Sequence, residues 1–181
     1  MKEINFNQIG VSFKGSGSYV PDQILTNQKI SQKVDTSDEW IKSRTGISER
    51  RISGFGDNVT EMGCKAALKA IEMANWDITT VDLILLSTST PNDLFGSAPS
   101  VQAKLGAANA VAFDLTAACS GFLFALITAS QFLKGGIFKR ALVIGADQLS
   151  SFVDWNDRRS CILFGDGAGA LAIEATNEFD N

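Results

Sequence analysis

Short apolar runs alternate along this chain with longer stretches whose apolar residues recur every three or four positions. Val81–Ser87 (VDLILLS), Ala110–Asp114 and Ala141–Ala146 (ALVIGA) are strand-length runs, apolar at consecutive positions. Strands of that kind are buried on both faces. Val11–Val20 mixes glycines with β-prone residues and stops at Pro21, which predicts an opening strand and turn. Thr36 with Glu39 forms a capping box and opens a short helix carrying Trp40 and Arg44, which Gly46 ends. Asn58 with Glu61 repeats the device ahead of a longer helix whose apolar face runs from Val59 through Met62, Ala66 and Ala70 to Ala74. Pro91–Pro99 reads as a loop and Ser100–Leu105 as a short helix.

The longest apolar segment, Cys119–Leu133, lacks charge and is apolar around most of its circumference, the mark of a helix buried within a protein. It is shorter than the roughly 20 residues of a membrane span. Ser160–Phe164 and Ala168–Glu174 complete the set as two strands a tight glycine turn apart, expected to pair antiparallel. Strands alternating with helices imply an α/β fold, and the final hairpin would make its sheet mixed. The tail, ATNEFDN, reads as a chain cut at a boundary.

Composition narrows the function classes. A length of 181 residues suits one domain with a sizeable core. A net charge of −4 and a pI near 4.8 argue against a broad nucleic-acid-binding face. The opening MKEINFNQIG offers no apolar stretch for a signal peptide, so no membrane attachment is expected. Three widely spaced cysteines and no histidine fit neither a disulfide framework nor a metal site. A reducing, cytoplasmic compartment follows as the expectation.

Cys119 carries the most interesting chemistry. It follows a strand and a small-residue connection (Thr116, Ala117, Ala118), where a buried helix begins. Helix N–H groups and the dipole favour thiolate at such a corner, and a backbone N–H can hold an oxyanion. The competing reading is a small core residue, as most free cysteines are. Cys64, on the apolar helix, and Cys161, inside the expected strand, fit the core reading better. The run Gly165–Ala170 superficially matches a dinucleotide fingerprint, which needs a following helix. The continuation LAIE is β-prone and short, so a turn between strands is the better reading.

Three separated segments, DTSDEWIKSRTGISERR (35–51), AFDLTAACSGF (112–122) and DRRSCILFGDGAGA (157–170), resemble β-ketoacyl-[acyl-carrier-protein] synthase III. That family belongs to the thiolase-like condensing enzymes. The resemblance implies the first half of the family's chain, residues 1–181 forming one thiolase-like half of an αβαβα core. This half is a mixed five-stranded sheet between helix layers. It further implies initiation of type II fatty acid synthesis. An acyl group, acetyl above all, passes from coenzyme A to Cys119 and condenses with malonyl-carrier protein, losing carbon dioxide. Coenzyme A enters as substrate thioester, and no cofactor or metal is expected. Trp40 matches the residue packed on adenine, Arg158 the guanidinium on the ring's other face, and Thr36 and Arg44 positions holding phosphates and sugar edge. Phe95 matches a residue that borders the partner's acyl pocket in a homodimer. Outside this resemblance, Trp40 would be a core anchor and Arg158 a salt-bridge partner of Asp154 or Asp157.

The family's catalytic set is Cys, His and Asn, and the last two lie in the second half, as do an oxyanion-hole glycine and the carrier-protein surface. With no histidine in these residues, the chain alone would carry only the nucleophile, and apolar faces that pack on the second half would be exposed. Two alternatives stand beside this reading. One is another thiolase-like enzyme using coenzyme A thioesters, such as a 3-hydroxy-3-methylglutaryl synthase relative, although DTSDEWI followed by RTGI argues against it. The other is a truncated, non-catalytic interaction chain.

Overall fold

The computed structural model describes residues 9–176. The opening residues 1–8 and all of ATNEFDN after Thr176 lie outside them. The elements in chain order are β1 (Gly10–Tyr19), β2 (Gln23–Thr26), α1 (Asn27–Ser31), α2 (Asp38–Thr45), β3 (Glu49–Ile52), α3 (Val59–Ala74), β4 (Leu83–Ser87), α4 (Ala98–Leu105), β5 (Val111–Leu115), α5 (Gly121–Lys134), β6 (Arg140–Gln148), α6 (Arg158–Cys161) and β7 (Asp166–Thr176).

Five strands form one mixed sheet in the order β1-β7-β6-β4-β5. The apolar strand β4 sits inside it, parallel to both neighbours, while β7 runs antiparallel to β6 and β1. Side chains of a strand alternate between faces, and here both faces are covered. Ile84, Leu86, Leu142 and Ile144 pack with α3 and α4; Leu83, Leu85, Ala141 and Val143 pack with α5. Double coverage is why β4 and β6 read as continuous apolar runs. The expected α/β architecture, a mixed five-stranded sheet between helix layers, is the one observed.

Several boundaries differ from the sequence reading. The cap of α2 is Ser37, whose hydroxyl accepts from Trp40 N, and not Thr36. Gly46 ends that helix in the left-handed region as expected, at φ 73°. Asn58 caps α3 by accepting from Glu61 N. Helix α4 begins at Ala98, ahead of the expected Ser100, because Pro99 fits a first helical turn.

Ser160–Phe164 is not a strand. Asp157 accepts from Arg159 N and nucleates the short helix α6, which buries Cys161. The glycine run is not a turn either: Asp166–Ala170 is already β7, pairing with β6 and β1. A small ribbon of β2 and β3, antiparallel, was not foreseen.

Helix α5 is less buried than its composition suggests. Ala125, Ala129 and Leu133 are fully covered, but Leu123, Phe124 and Ile127 are 61%, 53% and 57% exposed.

Candidate active site

Cys119 lies in a single 3-10 turn, Ala118–Ser120, directly before α5, and it is exposed. The helix therefore starts two residues after the thiol rather than on it. Two local features hold the turn. Ala118 adopts a left-handed backbone at φ 47°, uncommon for a residue with a Cβ. Gly121 then packs against the end of β4, where a Cβ would meet Ser87 Oγ at 2.0 Å. No side chain caps the N-terminus of α5, so its first N–H groups face the thiol's end of the helix unpaired with side chains. The site stands at the carboxyl ends of β4 and β5, where ligands bind in open α/β sheets.

The other two thiols are buried, as expected of core residues. Burial pushes the Cys64 thiol up to about 11, with Glu61 adding to the rise. Burial likewise raises Cys161, against the opposing charge of Arg50.

A second cluster forms around Trp40. The Arg44 guanidinium lies 4.3 Å from the ring centroid and that of Arg158 4.9 Å. Arg158 is held by donation to the Asp35 carbonyl at 2.7 Å, with the Asp35 carboxylate 4.0 Å away. The expected alternative of an ion pair with Asp154 or Asp157 is not formed; Asp157 pairs with Arg159 instead. Thr36, next to Asp35, keeps a buried hydroxyl oxygen without a hydrogen-bond partner. The fold thus brings together Trp40, Arg44 and Arg158, from segments more than a hundred residues apart. A planar group entering between Trp40 and Arg158 has to displace the guanidinium from the ring.

Phe95 stands apart from that cluster. It is 91% exposed beside Leu94 on the loop before α4, bordering a cleft of about 540 Å³ with Thr88, Leu115 and Thr116. The Asp114 carboxylate ties down the end of this loop, accepting from Ser97 N at 2.7 Å and Ala98 N at 2.6 Å.

Sequence reasoning missed the supports. Asp166 accepts from Ser53 N, Ser150 N and Ser150 Oγ, joining three segments. Arg50 is buried and bonds the carbonyl of Ile162. Neither role has a local signal, since each depends on residues far along the chain.

Sheet order, helix layers and an exposed cysteine at a helix mouth define one half of a thiolase-like condensing enzyme fold. The comparisons narrow this. The family model for 3-oxoacyl-[acyl-carrier-protein] synthase III matches residues 113–181. The β-ketoacyl-[acyl-carrier-protein] synthase III of Prochlorococcus marinus strain MIT 9301 is 90% identical over 181 residues, all of this chain and 54% of the relative. That of strain MIT 9313 is 63% identical over 172 residues, 95% of this chain and 51% of the relative. The crystal structure of 3-oxoacyl-[acyl-carrier-protein] synthase III from Aquifex aeolicus VF5 superposes with a TM-score of 0.91 at 48% identity, over 93% of this chain and 55% of that one. Over its whole length the chain is similar to β-ketoacyl-[acyl-carrier-protein] synthase III, and it spans about half the length of the curated relatives it matches.

Proposed function

We propose that the full-length protein is the initiating condensing enzyme of type II fatty acid synthesis, with Cys119 as its acyl acceptor. The observation that carries this reading is the contrast among the three thiols. Cys119 is exposed on a turn at a helix N-terminus, while Cys64 and Cys161 are buried. In the proposed reaction the Cys119 thiolate attacks the carbonyl of an acyl-coenzyme A thioester. Backbone N–H groups at the start of α5 stabilise the oxyanion, and the coenzyme A thiolate leaves. The acyl-enzyme is then attacked by the carbanion that decarboxylation of malonyl-carrier protein generates, forming the β-ketoacyl product and restoring the thiolate.

The nucleotide end of the thioester falls to the second cluster. Trp40 offers a ring face and Arg158 a guanidinium that can stack on the opposite face of an adenine. Arg44 supplies positive charge, and the unpaired Thr36 hydroxyl is suited to a phosphate or sugar oxygen. Phe95 would reach the acyl pocket of a second copy in a homodimer. Malonyl-carrier protein is the proposed second substrate; the resemblance assigns its docking surface, and the His and Asn that complete the chemistry, to the family's second half. No helix among the described residues is long and apolar enough to cross a membrane, which agrees with an enzyme of the cytoplasm.

The test is covalent labelling. Labelled acetyl-coenzyme A should acylate Cys119 in the full-length protein, and Cys119→Ala should abolish the label. Label that persists in Cys119→Ala, or lands on Cys64 or Cys161, overturns the assignment. The 181 residues alone should give no condensation with malonyl-carrier protein.

A further inference from the structure

Arg50 is an unusual buried cation. It lies on β3 at 4% exposure, and its hydrogen bonds go to neutral oxygens. Nε donates to the Ile162 carbonyl at 3.2 Å, Nη2 donates to the same carbonyl and Nη1 to Asn27 Oδ1. Asn27, 1% exposed, carries the connection onward. Its Nδ2 donates to Asp38 Oδ1 at 2.9 Å and to the Ile47 carbonyl at 2.8 Å. Asp38 is the first residue of α2, the helix that presents Trp40 and Arg44, whereas Ile162 directly follows α6, which presents Arg158. One side chain is therefore bonded toward both walls of the Trp40 cluster.

The walls also share a small apolar core, with Leu25, Val34, Val153 and Trp155 at its margin. Ile30, Ile41, Cys161 and Ile162 form the small core beneath, with Trp40 packed against it. A buried charge without a countercharge is unfavourable, and apolar residues of similar volume often serve stability as well or better. Burial accordingly draws the Arg50 pKa down. What a guanidinium offers that an apolar side chain does not is a rigid fork reaching two acceptors in fixed directions.

We propose that Arg50 is a positioning residue which sets the separation of Trp40 from Arg158 and so governs affinity for the nucleotide end of an acyl-coenzyme A thioester. This rests on the reading of Trp40 and Arg158 as the nucleotide clamp. Arg50 itself touches neither the thioester nor Cys119 in this assignment. Its loss acts on KM for the full thioester and leaves acyl transfer from a donor lacking the nucleotide intact.

The experiment compares acylation of Cys119 by acetyl-coenzyme A and by acetyl-pantetheine in the full-length protein, as wild type, Arg50→Lys and Arg50→Met. Lysine keeps the charge but reaches one acceptor; methionine keeps much of the volume and reaches none. Both variants should raise KM for acetyl-coenzyme A about tenfold, the order of effect expected from misplacing binding groups. Their kcat with acetyl-coenzyme A, and their rates with acetyl-pantetheine, should stay within about twofold of wild type. An unchanged KM overturns the proposal. So does an equal loss with both donors, which would make Arg50 a support of the fold alone. The wild-type comparison is separate: if wild type shows the same KM for both donors, the clamp reading itself fails.

Discussion

Ser87 Oγ stands 2.0 Å from where a Cβ on Gly121 would lie, so the end of β4 and the start of α5 meet with no room for a side chain. Cys119 is two residues before that contact. Gly121→Ala should therefore push the start of α5 off the sheet, destabilising the fold by about 1–3 kcal/mol through overpacking. It should also slow acylation of Cys119. Ser87→Ala removes the nearest atom and leaves its Cβ at 3.3 Å. The double variant should recover part of both losses, a coupling that urea titration and labelling rates can read. Strict additivity of the two substitutions would contradict the contact.

The three thiols should separate cleanly by reactivity. At pH 8, iodoacetamide should modify Cys119 in the native protein and reach Cys64 and Cys161 only in denaturant, because burial withholds both access and the thiolate form. Peptide mass mapping after a short exposure would check this, and rapid native labelling of Cys64 would refute it.

Cys64 also predicts a pH dependence of stability. Its folded pKa, about 11, is raised from 9.0. The neutral thiol is thus favoured in the fold, while the unfolded chain ionises first. Stability from this group is fully present below pH 9 and is lost as pH rises toward 11, by about 2–3 kcal/mol in all. Urea midpoints across that window should fall more steeply in wild type than in Cys64→Ala. Parallel curves would show that the thiol does not titrate as described.

The strands β4 and β6 were legible because double burial writes itself as an unbroken apolar run. The caps Asn58 and Gly46 were legible because a helix end depends on its own neighbours. Cys161 and Ile162 show the limit of such reading. A short buried apolar pair looks the same in a strand and in one helical turn, and periodicity cannot separate them over five residues. Ser37 displaced Thr36 as the cap by a single position, the usual margin of error at helix ends. Cys119 could be singled out as a candidate nucleophile from its place before an apolar helix, and Trp40 as a candidate binding residue only through the family resemblance. Arg50 could not, because its burial is decided by Ile162, 112 residues away.

Ala118 offers a test of the turn itself. A left-handed backbone at φ 47° is tolerable for alanine but strongly disfavoured for a β-branched residue. Ala118→Val should cost about 2 kcal/mol or more and impair acylation. Ala118→Gly relieves strain but frees the unfolded chain, so its stability should stay within about 1 kcal/mol of wild type. Circular dichroism melts would distinguish the two, and a well-tolerated valine would mean that the turn is not held in this conformation.

Asp114 is the remaining anchor, fixing the loop that carries Phe95 to the start of α4. Its carboxylate accepts from Ser97 N and Ala98 N, two charge-assisted bonds at a helix N-terminus with no other side-chain cap. Asp114→Ala leaves both N–H groups unpaired at a buried position, since Ser97 and Ala98 are 1% and 0% exposed. The expected loss is about 2–3 kcal/mol. Asp114→Asn retains one acceptor oxygen and should lose about half as much. Amide hydrogen exchange supplies the local readout. Ser97 and Ala98 should exchange much faster in Asp114→Ala, while amides of β4 slow or quicken only with global stability. Unaltered protection at Ser97 and Ala98 would show that the loop is held by something other than this carboxylate.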